Sequence, residues 1–311
     1  MEFEAPDWKA LHSSIARRRR FSFCPVGYYL FHVPGRDGYS ACRSDWQYKI
    51  YAAKHCLRAS SWVTALFRES VRNFFRPGSD FRKKPLQVYL KKAFERRFDL
   101  LVKGAFHDDP KIVNSVYELE EKIFSPEYFY NKAQLELDNI SNGFIAGELY
   151  LHLLKTPALD FRCSETLWQW QLGGLNFSTM PDLVWKENNT LQILDMNCYA
   201  FEQEKMRQAL LYKVYIRRFM QISPSAVQVN FFDPVRRSFL PAGDTPEEDF
   251  SITFQALTGE AAMWRDYLLL QHDAAECGKW HYARFDNCDR CRFRKLCPAL
   301  AGTPLPPEVS I

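Results

Sequence analysis

The chain has 311 residues, 47% hydrophobic and 15% aromatic, enough apolar surface for one large packed domain or two small ones. Lys and Arg number 41 against 37 Asp and Glu, and a net charge of +4 is too small by itself to require a polyanionic partner. No apolar run approaches the roughly 18 residues of a membrane helix. Met1 to Lys9 carries Glu2, Glu4 and Asp7 where a secretory leader has a basic and then an apolar stretch, so a cytoplasmic protein with no membrane partner is expected.

In chain order, residues 1–56 form a mixed, aromatic N-terminal segment with turn signals at Pro34-Gly35 and Asp37-Gly38. Residues 57–165 carry helical spacing and are expected to form a helical insertion. Trp62, Leu66, Val71 and Phe74 fall on one face there, and Leu119, Ile123 and Leu135 through Leu151 continue the pattern. Residues 166–275 switch to short apolar runs. Leu175 to Lys186 and Leu191 to Asn197, separated by Glu187-Asn188-Asn189-Thr190, predict a hairpin, and Glu202 to Met220 predicts a helix. Ala226 to Phe232 and Asp249 to Phe254 read as strands and Gly259 to Gln271 as a helix, before a C-terminal cysteine segment and Pro-rich tail over 276–311.

Basic residues gather at Arg17 to Arg20, at Arg82 to Lys84 with Lys91, Lys92, Arg96 and Arg97, at Arg217 and Arg218, and at Arg290 to Lys295. Each run suits either a solvated face or a track for phosphates.

The nine cysteines are an odd number and unevenly placed. Cys42, Cys56, Cys163, Cys198 and Cys277 are scattered, whereas Cys288-x2-Cys291-x5-Cys297 crowds three thiols into one short basic loop. This fits a metal site in a reducing compartment better than an extracellular disulfide framework. Three thiolates suit zinc or an iron-sulfur cluster and need a fourth ligand. Cys24, followed by Pro25 and flanked by Phe21, Phe23, Tyr28 and Tyr29, is the best candidate, with Cys277 or His281 as the zinc alternative.

One early Cys-Pro and a late Cys-x2-Cys-x5-Cys resembles the iron-sulfur staple of AddB and the CRISPR-associated RecB-like exonucleases. The resemblance implies a 4Fe-4S cluster on Cys24, Cys288, Cys291 and Cys297 that joins the two ends of a PD-(D/E)xK nuclease domain, an α/β core with a mixed central sheet flanked by helices. Within that frame Asp182, after Pro181, and Asp195 resemble the metal-binding carboxylates of the motif hairpin. Strand alternation turns Asp195 and Asn197 the same way. The carbonyl at Met196 is implied as a further ligand. The third motif position, lysine in the family, is Asn197, and Lys205 is the candidate to replace it from the following helix. Gln208-x3-Tyr212 resembles the RecB-family Q-x3-Y motif, implied to contact DNA and support the site; the spacing of four puts both on one helix face. Where many relatives carry a metal-binding His, Trp62 to Glu69 offers Arg68-Glu69; Glu69 and His152 are the substitute ligands considered, each more simply read as an ordinary surface or core residue.

Two functions follow from the resemblance. One is a Mg2+- or Mn2+-dependent nuclease acting on single-stranded DNA or duplex ends in DNA processing or defence. The other is an inactive nuclease-fold DNA-binding or scaffold subunit, suggested by Asn197 and Arg68. A zinc-stabilised module that docks a helicase, nuclease or other defence-complex subunit is the reading from a different class.

Overall fold

The computed structural model describes residues 11–35, 44–79, 84–110, 113–157, 160–161, 167–197, 202–241, 249–276, 280 and 285–301. The protein is a mixed α/β fold, and among the described residues no helix is long and apolar enough to cross a membrane. The turn signal at Asp37-Gly38, the residues Cys42, Cys163, Cys198, Cys277 and His281, and the Pro-rich tail lie outside the described residues.

The N-terminal segment is β1 (Leu11–Ser13) followed by three helices, α1 (Ile15–Phe23), α2 (Pro25–His32) and α3 (Asp45–His55). Cys24 sets the break between the first two. It is extended, its N–H closes α1 on the Arg20 carbonyl, and its sulfur accepts the Gly27 N–H at 3.5 Å while Pro25 takes the first position of α2. A short polar atom before an N-terminal proline is a helix start signal, here supplied by a thiol.

β2 (Cys56–Leu57) pairs in parallel with β3 (Ser115–Val116) and brackets α4 (Ala59–Phe75), α5 (Leu86–Val102) and α6 (Ala105–Asp108); α7 (Tyr117–Glu120), α8 (Pro126–Ile145) and α9 (Glu148–Lys155) follow. Trp62, Leu66, Val71 and Phe74 are buried as the periodicity predicts. Ile123, Leu135 and Leu151 are exposed, which corrects their place in the pattern. The stripe of α8 that packs is Phe129, Ala133, Leu137, Ile140 and Phe144, one face at helical spacing.

β4 (Trp168–Leu172), β5 (Leu175–Thr179) and β1 form one sheet, while β6 (Leu183–Glu187), β7 (Thr190–Asp195), β8 (Val227–Asp233) and β9 (Ser238–Pro241) form a mixed sheet in that order. The run Leu175 to Lys186, expected as one arm of the hairpin with a strand beginning at Asp182, is two strands in two sheets, broken at Pro181, which has no N–H for a ladder. The β6–β7 turn is Asn188-Asn189, both at positive φ, the geometry of a tight two-residue hairpin turn. β7 and β8 run parallel and are joined across α10 (Glu202–Met220).

The segment Asp249 to Phe254, expected as a strand, is the first turns of one long helix, α11 (Asp249–Glu276), that also absorbs the predicted helix 259–271. Leu257, Ala261, Trp264 and Leu268 are buried at helical spacing, and this stripe outweighs the short alternation at its start. The C-terminal segment ends in α12 (Pro298–Ala301).

Three apolar clusters hold these layers. One joins α4, α5 and α8 to Leu183, Trp185, Leu194 and Met196 on one face of the mixed sheet. A second fills the space between the other face, through Val184, Ile193 and Val229, and Tyr212 of α10 and Trp168 of β4. The third is where the chain ends meet: Val26, Tyr28, Tyr29, Leu30 and Ile50 pack with Trp264 and Leu268 of α11 and Phe293. Polar ties cross the same seam, from Asn287 Nδ2 to the Phe23 carbonyl at 2.6 Å and from Trp46 Nε1 to the Leu296 carbonyl at 3.3 Å.

Candidate functional site

The hairpin brings the two acidic positions to one end of the mixed sheet. Asp182 N–H donates to the Leu194 carbonyl at 2.9 Å, and Asp195 ends β7 just ahead of α10. Both side chains are fully buried. Burying a carboxylate is costly unless its oxygens are met by donors, so the partners decide the chemistry.

Asp182 is met by two guanidiniums from α4. Arg68 Nε lies 3.1 and 3.2 Å from its two oxygens and Arg68 Nη2 3.1 Å from Oδ1, with Arg72 Nη1 at 3.5 Å. Met196 contributes its N–H, at 2.6 Å from Oδ2. Asp195 Oδ1 accepts from Asn197 N–H at 2.9 Å and from Asn197 Nδ2 at 2.6 Å, while Oδ2 accepts from Tyr212 O–H at 2.6 Å. Arg68 Nη1 also donates to Asn197 Oδ1, so a single guanidinium reaches both acidic residues, one directly and one through the amide.

Two buried carboxylates and two guanidiniums leave no net charge to attract a divalent cation. Such an ion takes oxygen ligands, and here the oxygens of both carboxylates already accept from nitrogen and hydroxyl donors. The residues at Asp182 and Asp195 do not fit a resident Mg2+ or Mn2+ in this arrangement. Arg68 was read from the sequence only as a departure from histidine. Its role, and that of Arg72, was missed, although a spacing of four puts both on one helix face.

The remaining expected residues divide. Tyr212 is fully buried against Asp195; burial and the neighbouring carboxylate drive its hydroxyl well above the usual phenol range, so it stays a donor. Gln208 donates to Thr179 Oγ1 at the end of β5, so the Q-x3-Y pair ties α10 to the ends of β5 and β7, one in each sheet. Lys205 is buried, pairs with Glu202 at 2.6 Å and lies over the Phe231 ring, opposite Asp195 on the neighbouring strand. Glu69 turns to Arg97 at 2.6 Å. His152 stands 3.7 Å from Glu187, at the other end of β6 from Asp182.

The second site is at the seam of the chain ends. Cys24, Cys288, Cys291 and Cys297 line one cavity of about 20 Å³, and none is in a disulfide. Burial raises the thiols of Cys288, Cys291 and Cys297, that of Cys291 to about 11, and ionisation of the neighbouring thiols raises them further. Four soft donors converging from both ends of the chain fit a thiolate-bound metal centre by donor type. Among the described residues, no group of three or more His, Cys, Asp or Glu is arranged to hold a metal ion. Cys56, also buried, lies apart from this cavity with its thiol pushed up to about 12, chiefly by burial.

Beside the thiols lies a larger cavity of about 530 Å³ lined by Arg19, Arg20, Arg58, Arg290 and Arg292, with Phe23, Phe31 and Phe293. The sequence shows these arginines only as two separate basic runs and a lone residue; the fold assembles them.

The chain is a mixed α/β protein with a self-neutralised acidic pair and a four-cysteine junction. No family model matches it, and neither a curated protein nor a solved structure is found to be similar.

Proposed function

We propose that this protein is a nuclease-like α/β fold, stapled by a thiolate metal centre, that binds DNA without hydrolysing it through the Asp182–Asp195 pair. The observation that carries this reading is the Arg68 guanidinium, which reaches Asp182 directly and Asp195 through Asn197. A cation built into the chain does the neutralising that a divalent ion does in metal-dependent phosphodiester hydrolysis, and it carries no water to activate. Losing such charge stabilisation at a reacting phosphate costs on the order of a hundredfold or more in rate.

A 4Fe-4S cluster or a zinc ion on Cys24, Cys288, Cys291 and Cys297 would supply a covalent tie between the N-terminal helices and the C-terminal segment, where a third apolar core already joins them. For DNA, a cavity of about 530 Å³ between α4 and α5 presents Lys84, Lys92, Arg96 and Arg97 with one carboxylate, Glu69. Such a groove suits a phosphate backbone.

Incubating the protein with labelled single- and double-stranded DNA and Mn2+, beside Asp195→Ala, tests the reading. The expected result is DNA retained in a gel shift, with no cleavage above that of the variant. Cleavage by the wild type that Asp195→Ala abolishes would return the site to the enzyme reading, with buried Lys205 on α10 the first residue to test.

A further inference from the structure

The arginine-lined cavity beside the cysteines carries an inference of its own. Five guanidiniums line it and no carboxylate does. Arg19 and Arg58 have acidic partners behind the wall, Glu204 at 2.7 Å and Glu118 at 3.4 Å. Among the described residues Arg20, Arg290 and Arg292 have none. Arg20 lies over the Phe31 ring at 3.7 Å, and Arg292 donates to the Lys54 carbonyl at 2.8 Å, contacts that orient a guanidinium without neutralising it.

Like charges held together in a half-buried pocket cost free energy, which an anion relieves. Cys24 and Cys291 also line this cavity, but the small cavity that all four thiols share is lined by Arg294 and by none of these five. The larger cavity falls in the range of roughly 300–1,000 Å³ that holds small ligands. Its wall includes Phe23, an exposed ring able to stack on a flat partner. Planar guanidiniums match phosphate oxygens in pairs, and an aromatic face accepts any base.

We propose that this cavity binds a nucleoside monophosphate group, its phosphate held by Arg20, Arg290 and Arg292 and its base stacked on Phe23. The group can be a free nucleotide or the phosphorylated end of a strand. The site stands apart from the acidic pair and holds whether or not DNA is cut there.

Titration calorimetry on the full chain as purified, with its metal, separates the cases. The probes are AMP, inorganic phosphate, and a thymidine hexanucleotide with and without a 5′-phosphate. AMP or the phosphorylated hexamer is expected to bind more tightly than phosphate, and the unphosphorylated hexamer at least tenfold more weakly than its phosphorylated form. Tighter binding of the phosphorylated hexamer assigns a strand end; tighter binding of AMP assigns a free nucleotide. Arg20→Gln is expected to weaken the preferred probe about tenfold or more. Phe23→Ala is expected to weaken it at least about fivefold and leave inorganic phosphate unchanged. Circular dichroism and metal content check each variant. Should Arg20→Gln fail to fold, Arg290→Ala, on an exposed residue, takes its place with an expected loss of about threefold or more. The proposal is overturned if no phosphorylated probe binds, or if binding is the same in the wild type and the folded variants. Long DNA bound undiminished while AMP and the phosphorylated hexamer fail to bind would sink this site alone and leave the nuclease-like reading standing.

Discussion

The acidic pair and the arginine cavity are the two places where this fold concentrates charge, and they treat it in opposite ways. At the hairpin, two fully buried carboxylates meet two guanidiniums and a tyrosine hydroxyl, and the charges cancel inside the protein. At the seam of the chain ends, three of five arginines around one cavity have no acidic partner among the described residues. Internal pairing makes a charge structural, because each ion's desolvation is met by its neighbour. Charge of one sign left together is free to act on something outside the chain. A search guided only by carboxylates stops at the hairpin, whereas the unpaired charge lies in the cavity lined by the C-terminal turn of α1.

The sharpest way to break this comparison is to remove the internal cation. Arg68→Ala leaves Asp182 with Arg72 at 3.5 Å and the Met196 N–H. Stripping one partner from a buried pair costs about 3–5 kcal/mol, and the surviving arginine places the expected loss near the lower end. Urea unfolding measures it. Pairing the change with Asp182→Asn, which removes the charge left behind, is expected to recover part of the loss. If Arg68→Ala costs no more than an average surface change, the guanidinium does not hold the hairpin, and the case for a permanently neutralised centre goes with it.

Tyr212→Phe comes next in size. It deletes one hydroxyl that donates to a buried carboxylate and leaves the ring in the second core. A hydrogen bond to a charged group contributes about 1.5–3 kcal/mol, and unfolding of this variant is expected to shift by that amount. Retention of DNA binding in Tyr212→Phe would agree with a bracing role. Loss of DNA binding without loss of stability would instead favour the DNA contact that the Q-x3-Y resemblance implies.

Much of this frame was legible in the sequence because it rests on short-range signals. The Asn188-Asn189 turn, the helix from Glu202 to Met220 and the apolar stripe Trp62–Phe74 come from local spacing and turn chemistry, and the structure keeps all three. Asp182 and Asp195 were paired by their resemblance to the motif hairpin, and the register that sets Leu183 opposite Leu194 brings both to the same end of it. What failed was local evidence overruled from a distance. Asp249 to Phe254 alternates like a strand but continues into a helix whose stripe packs on two cores. The run from Leu175 to Lys186 reads as one arm of the hairpin until Pro181 divides it between sheets. The arginine cavity was least legible, because it joins arginines up to 273 positions apart, from Arg19 to Arg292, and no pattern along the chain records that.

A smaller effect tests whether the unpaired arginines act on their own surroundings. The His32 ring packs against Tyr28 with centroids 4.5 Å apart and planes tilted by 56°, and its buried Nε2 has no hydrogen-bond partner among the described residues. Burial first, then the charges of Arg17, Arg20, Lys54 and His12, hold its pKa well below that of a free imidazole. The unfolded chain takes up a proton at this position as pH falls through about 6.5, and the folded chain does not. Acid therefore favours unfolding: the penalty is absent above that pH and grows below it, by at most about 1.4 kcal/mol per pH unit, until the folded-state pKa is reached. Carboxylates titrate in the lower part of this range too, so the measurement is the difference between the wild type and His32→Phe, which keeps an aromatic ring against Tyr28. Urea midpoints from pH 7.5 to 5.5 are expected to fall less steeply in the variant. Phosphate bound at Arg20 would screen one of the charges on His32, and adding it should flatten the wild-type slope toward that of His32→Phe. Parallel slopes in the two proteins would mean that the ring is as easily protonated in the fold as in water, and that the charge gathered at this end of the molecule does not reach it.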